Sequence, residues 1–503
     1  MRNICKSFVR GYASDHINLE VYRGEILSLL GENGSGKTTL MNMLAGIYYP
    51  DEGQILVDGK PVSIRSPKDA FDLGIGMIHQ HFKLVDVLSA ADNIVLGLKE
   101  SGRFDRRQIT ARIREICDRY GFEIDPAQKV YDMSVSQKQT LEIVKVLYRG
   151  ADILILDEPT AVLTPQETQK LFGVLRSMRD EGKAVSIITH KLHEVMDISD
   201  RVAVLRRGVH IGDVKTSETN PQKLTEMMVG RPITLNIDRP VPKTTELRLA
   251  VRDLTVKNEE EVTMLDHVCF DVYSGEILGI AGISGCGQKE LLETIAGLQR
   301  TEEGSSIQYY AQGEPEELLG KDPLEIRRLG VALSFVPEDR LGMGLVGSMG
   351  MTDNMMLRDY RAGRSIFANR RQPRILAETI KKDLEVVTPD VATPVSRLSG
   401  GNVQKVLVGR EIAAAPSVLM TAYAVRGLDI NTSYTIYRLL NEQKEKGVAV
   451  IYVGEDLDVL LQLCDRILVL CAGKINGIVD GRHTSKEEVG LMMTHLKEEK
   501  EGA

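Results

Sequence analysis

Eight residues, Gly31-Glu32-Asn33-Gly34-Ser35-Gly36-Lys37-Thr38, fit the spacing G-x-x-x-x-G-K-T. Glycines so placed let backbone N–H groups turn inward onto phosphate oxygens. The apolar run before the loop reads as a strand, and Leu40, Met43, Leu44 and Ile47 after it mark one face of a helix. The loop therefore opens a helix, whose positive end favours an anion. Lys37 is expected to reach the β- and γ-phosphates and the Thr38 hydroxyl to ligate Mg²⁺, with Thr39 beside them in the binding turn.

The chemistry needs carboxylates as well. Ile153-Leu154-Ile155-Leu156 reads as a buried strand that ends in Asp157-Glu158, at the strand end where α/β sheets bind ligands. Asp157 suits the metal, and Glu158 suits the orientation or deprotonation of an attacking water. Alone, such a pair more often caps a helix; behind a phosphate loop it reads as catalytic.

The elements that position these residues occur twice. Gly24-Glu25-Ile26-Leu27-Ser28-Leu29-Leu30-Gly31 reappears 251 positions later as Gly275-Glu276-Ile277-Leu278-Gly279-Ile280-Ala281-Gly282. Asp200-Arg201-Val202-Ala203-Val204-Leu205 reappears 265 positions later as Asp465-Arg466-Ile467-Leu468-Val469-Leu470. One unit of about 250 residues is repeated, with extra residues in the middle of the second copy. Strands such as Ala184–Thr189 alternate with helical stripes such as Leu171, Val174, Leu175 and Met178, which predicts α/β units around a largely parallel sheet. The middle of each copy is more helical, with Ile109, Ile113 and Ile116 on one face. A first domain over 1–235, a linker over 236–246 containing Pro240 and Pro242, and a second domain over 247–503 are expected.

Composition agrees. The 503 residues carry a net charge of −8, which argues against a general nucleic-acid coat. The basic stretches Arg103–Arg119 and Arg358–Lys382 read as solvated faces. Apolar runs fall far short of the ~20 residues that cross a bilayer, so a soluble chain is expected. Six cysteines without C-x-x-C spacing read as small core fillers.

Together with Leu398-Ser399-Gly400-Gly401-Asn402-Val403-Gln404-Lys405, these motifs resemble the ABC ATPases of membrane transporters over nearly the whole chain. The resemblance implies two tandem P-loop NTPase domains, each a RecA-like α/β core with a small β edge and a helical subdomain. It implies that ATP lies between the phosphate loop of one half and the signature run of the other. It marks Gln80 as a glutamine touching Mg²⁺, His190 as a γ-phosphate contact, Phe8 as the ring under adenine, and Asp429 as a D-loop aspartate. The first edge strand looks clipped by a few residues.

In the second copy the loop is Gly282-Ile283-Ser284-Gly285-Cys286-Gly287-Gln288-Lys289. Gln288 replaces Lys37; a charge pair at ~4 Å is worth about 4 kcal/mol at an effective dielectric of 20. Lys289, in place of Thr38, could restore charge but brings no oxygen for a metal. Ala422-Tyr423 replaces the carboxylates, Glu338 replaces Gln80, and Glu455 replaces His190. The signature runs the other way: Ser399-Gly400-Gly401 is intact, whereas the first copy has Ser134-Val135-Ser136, with Thr164 where Asp429 stands. Paired across the halves, every damaged element falls in one site, leaving one hydrolytic site per chain.

Tandem halves with a degenerate second site look like the importers of simple sugars and nucleosides. Gly74-Ile75-Gly76-Met77-Ile78-His79-Gln80-His81-Phe82 resembles the purine-nucleoside branch, which is paired with basic-membrane-lipoprotein receptors. The resemblance implies an enzyme on the cytoplasmic face of the membrane, two permease subunits and an extracytoplasmic substrate-binding lipoprotein or receptor. Sugar import is the alternative. A soluble tandem ATPase acting on the ribosome would show two competent sites and a long charged linker, and this chain has neither.

Overall fold

The computed structural model describes the chain outside residues 9–10, 33, 80–81, 99–104, 162, 190, 231–236, 243–244, 259, 284, 312–313, 329–332, 337–339, 360–368, 427, 429, 455 and 497–503. It divides into Met1–Thr234 and Leu235–Ala503.

The first unit holds β1 (Arg2–Phe8), β2 (Gly11–Ile17), β3 (Glu25–Leu30), α1 (Lys37–Leu44), β4 (Glu52–Val57), β5 (Lys60–Val62), α2 (Pro67–Asp72), β6 (Ile75–Ile78), α3 (Ala90–Val95), α4 (Arg106–Tyr120), α5 (Val135–Tyr148), β7 (Ile153–Asp157), α6 (Pro165–Asp180), β8 (Ala184–Ile188), α7 (Leu192–Ile198), β9 (Arg201–Arg206), β10 (Val209–Lys215) and α8 (Pro221–Val229). Its main sheet runs β10-β9-β3-β8-β7-β6, parallel except for β10, beside a four-stranded antiparallel sheet β2-β1-β4-β5. Strands β6 and β8 are buried along their whole length. Both faces are therefore covered, which is why they read as apolar runs, broken only by the buried Ser186 of β8, rather than as alternating ones. Helices α3, α4 and α5 bury Ile94, Ile109, Ile113, Leu141 and Val144 against one another as a separate small core.

The second unit repeats this with β11 (Leu247–Lys257), β12 (Thr263–Tyr273), β13 (Ile277–Ala281), α9 (Gln288–Ile295), β14 (Ser306–Tyr309), β15 (Glu316–Glu317), α10 (Pro323–Arg328), β16 (Leu333–Val336), α11 (Met351–Asp359), α12 (Arg371–Asp383), α13 (Gly400–Ala413), β17 (Val418–Ala422), α14 (Ile430–Glu445), β18 (Ala449–Val453), α15 (Leu457–Leu463), β19 (Arg466–Cys471), β20 (Lys474–Asp480) and α16 (Lys486–Thr494). Its sheets run β12-β11-β14-β15 and β16-β17-β18-β13-β19-β20.

Polar anchors repeat with the strands. Asp200 accepts from Ile26 N at 2.8 Å, and Asp465 accepts from Ile277 N at 2.9 Å. Asn93 accepts from Val85 N, and Asn354, 261 positions on, accepts from Val346 N, both at 2.8 Å. The offset thus grows from 251 at the phosphate loops to 258 at β6 and β16, 261 here and 265 at the signature serines, so the extra residues enter in three steps.

Local expectations fare unevenly. Ile47 lies beyond the end of α1 and is exposed, because the chain has already turned at Gly46. Five cysteines are buried, but Cys269 is exposed. Its Sγ accepts from Asp253 N at 3.1 Å, at an irregularity in the β11–β12 ladder where Asn18 serves Asn3 N in the first unit. Arg106 and Arg119 of the basic stretch pair with Asp92 and Glu181, as a solvated face should. In the linker, Ile237 is buried in the second unit's core and Arg239 donates to Leu461 O at 3.0 Å. No helix among the described residues is long and apolar enough to cross a membrane.

Candidate nucleotide-binding site

The phosphate loop hangs between the end of β3 and the start of α1. Gly36, the N-cap of α1, has φ 99°, and a Cβ there would lie 2.1 Å from the Ala13 carbonyl. Only glycine fits this backbone and this close approach. Gly208 N donates to Ser35 O at 3.1 Å, which ties the loop to the β9–β10 turn. Gly31 and Ser35 are buried, Gly34 and Thr38 are exposed, and Glu32 and Thr39 lie between. The Ser35 hydroxyl is buried without a hydrogen-bond partner, a donor left over in a loop lined with N–H groups.

Lys37 is 6% exposed and donates to Gly31 O at 2.7 Å and Glu32 O at 3.0 Å. Burial lowers the pKa of its ammonium, while the charges of Glu158, Asp157 and Glu32 pull it back up. Asp157 ends β7, is equally buried, and meets the Thr38 hydroxyl. Burial and the neighbouring Glu158 push its pKa up to about 6. A buried carboxylate with a second one beside it calls for a cation, and the Thr38 oxygen beside Asp157 is the hard donor that Mg²⁺ takes. Glu158 sits at φ 49° with its N–H given to Ile188 O at 2.9 Å. This left-handed turn carries the chain sharply off the strand end.

Phe8 ends β1 and is 46% exposed. Asn33, Gln80, His190 and Asp429 lie outside the described residues, as do His81, Ser284, Glu338 and Glu455. His79 follows β6, and burial lowers its pKa, leaving it neutral at pH 7. Downstream, Lys83 N donates to the buried Glu142 carboxylate of α5 at 2.9 Å, pinning the stretch that follows Gln80 to the helix that Ser134 caps.

The second loop keeps the backbone and changes the chemistry. Gly287 has φ 102° and Tyr423, in the place of Glu158, has φ 50°. Gln288 is 3% exposed, donates to Ile280 O at 3.2 Å and accepts from the Tyr423 hydroxyl at 3.2 Å. A neutral hydrogen-bonded couple thus stands where the lysine and carboxylates stand in the first unit. Sequence reasoning missed this couple; the signal was that Gln and Tyr changed together. Lys289 does not restore the lost charge: it is exposed and turned along α9 toward Glu293 at 3.8 Å. Burial pushes the Cys286 thiol, in the place of Ser35, up to about 12.

The signature run caps α13. Ser399 Oγ accepts from Asn402 N at 3.5 Å and from the Asn402 amide at 2.8 Å, and Gly400 and Gly401 open the helix. Ser399 and Gly400 are exposed at the start of this helix, the end that favours an anion. The matching Ser134 closes a capping box with Gln137, and Thr164 closes another with Glu167.

The family model "ABC transporter" matches residues 14–161 and 265–421. The guanosine import ATP-binding protein NupO of Bacillus subtilis is 40% identical over 100% of this chain and 98% of its own length. The glucose import ATP-binding protein TsgD13 of Haloferax volcanii is 39% identical over 98% of this chain and 95% of its own length. The nucleoside import ATP-binding protein NupA of Lactococcus lactis is 38% identical over 98% of this chain and 97% of its own length. With two cassettes, a phosphate loop and a signature run, this chain belongs to the ABC transporter family of ATP-hydrolysing proteins.

Proposed function

We propose that the chain is the ATPase subunit of an importer of purine nucleosides, with its first phosphate loop as the hydrolytic one. The observation that carries the enzymatic half is the contrast between Lys37 facing Asp157-Glu158 and Gln288 bonded to Tyr423. In the first loop, Lys37 and the backbone N–H groups take the ATP phosphates. Thr38, Asp157 and Gln80 would hold Mg²⁺, which when bound draws charge off the β- and γ-phosphates. Glu158 orients and deprotonates the attacking water, and His190 contacts the γ-phosphate. Asn33 and Thr39 complete the cradle, Phe8 takes adenine, and Ser399, Gly400, Gly401 and Asp429 serve the same nucleotide from the other cassette.

The full-length likeness to the guanosine and nucleoside import proteins supports the solute. An ATPase of this kind works on the cytoplasmic face of the membrane, docked on two permease subunits and fed by an extracytoplasmic lipoprotein or receptor. The glucose import relative, one percentage point lower in identity, favours sugar as the second reading. Uptake of labelled guanosine and labelled glucose, wild type against Lys37→Ala, separates the two. Loss of guanosine uptake alone is expected. Loss of glucose uptake alone would leave the enzyme assignment standing and overturn the solute.

A further inference from the structure

Phe8 and Tyr48 meet edge to face, with ring centroids 5.5 Å apart and planes at 72°. They come from different elements. Phe8 ends β1; Tyr48 follows α1, the helix that starts in the phosphate loop, and its N–H donates to Asn42 O at 3.2 Å. Both rings remain partly in solvent, Phe8 at 46% and Tyr48 at 38%. Lys6 Nζ stands over the Phe8 ring, 5.8 Å from its centroid. Lys6 is held by Asp51 Oδ1 at 2.7 Å, while Asp51 Oδ2 accepts from Ser7 N at 2.7 Å. The Tyr48 ring and the tethered Lys6 cation flank the Phe8 ring, which still keeps enough exposed surface to stack on. The β1–β2 hairpin that carries it is seated on the loop, with Ala13 O against Gly36.

We propose that Tyr48 is a positioning residue for the base of the bound nucleotide. Its edge-to-face contact fixes the Phe8 ring, Lys6 flanks the same ring, and adenine stacks on the surface that remains exposed. This rests on the proposed ATP site and adds a residue to it. The second unit lacks the arrangement. Gln299, 251 positions after Tyr48, donates its amide to Glu293 at 2.9 Å, and the end of β11 leads into Asn258. A nucleotide at the second loop therefore gains no stacking there.

The test uses the full chain and two ligands, ATP and inorganic tripolyphosphate, which has no base. Tyr48→Ala is expected to raise KM for ATP roughly two- to tenfold, the worth of an edge-to-face pair, with kcat nearly unchanged. Inhibition by tripolyphosphate should not move, and Tyr48→Phe should match wild type because the ring does the work. If Tyr48→Ala weakened tripolyphosphate as much as ATP, the residue would only be supporting the loop and the proposal would fail. It would fail equally if Phe8→Ala raised KM while Tyr48→Ala did not. Should Phe8→Ala leave KM unchanged, the adenine assignment beneath the proposal would fall.

Discussion

The Tyr423 hydroxyl donates to Gln288 Oε1 at 3.2 Å, at the two positions that Glu158 and Lys37 hold one repeat earlier. A charged pair has been exchanged for a neutral one without disturbing the loop. Polarity is satisfied, so the exchange costs little in folding, while the lysine and glutamate charges of the first loop are gone.

Hydrolysis should depend on one loop only. Lys37→Ala is expected to lower ATP turnover at least ~100-fold, the usual cost of removing a principal charge-stabilising donor. Gln288→Ala should leave most of it. Steady-state turnover on the purified full chain decides, and the reverse ranking would defeat the single-site assignment.

Restoring the lysine alone should harm the protein. Gln288→Lys buries an ammonium with no carboxylate beside it and is expected to cost about 3 kcal/mol of stability. Adding Tyr423→Glu should return about 1–2 kcal/mol through the new pair. Urea unfolding of the four chains in a double-mutant cycle reads the coupling, and additive losses would contradict it.

Asp157 spends stability on a carboxylate that the metal-free protein would prefer protonated. The difference between 3.8 and about 6 corresponds to about 3 kcal/mol in favour of Asp157→Asn above pH 6. The sign follows from proton counting: between those values the native state holds the proton more tightly, so wild-type stability falls as pH rises. The advantage of the Asn variant should vanish below about pH 4, level off above pH 6, and come with loss of hydrolysis. Melting curves against pH without added metal check it; equal melting points at pH 7.5 would refute it.

Ala415, just past α13, has φ 47°, where the first repeat has Gly150 at φ 82°. Copying the first repeat's solution, Ala415→Gly, should stabilise the second unit by about 1 kcal/mol, since Cβ is penalised in this region. Ala415 is exposed, so no packing is lost. A lower denaturation midpoint would show that unfolded-chain entropy outweighs the strain.

The tandem α/β fold could be read from periodicity because its parallel strands are buried on both faces and its loops carry residues with one use. The frame of the first site, Lys37 beside Asp157 and Glu158, was legible for the same reason. What stayed hidden depends on side-chain direction. The lysine at 289 could as easily have pointed into its loop, and only packing along α9 sends it to Glu293. The partnership of Phe8 with Tyr48 was likewise invisible, since 40 positions separate two rings that the fold brings together. Cys269 read as core because cysteine usually is, yet it was recruited to serve a bulge N–H.

The left-handed turn after the acidic strand persists at Tyr423 although no carboxylate remains there to aim. Such a turn costs a non-glycine residue about 1–2 kcal/mol wherever it occurs. The second cassette still bears that cost, and with it the backbone path that delivers a side chain to the mouth of the loop. An Asp-Glu pair grafted at 422–423 would enter a socket already shaped for it. What separates the two loops is therefore side-chain identity, not the architecture of this turn.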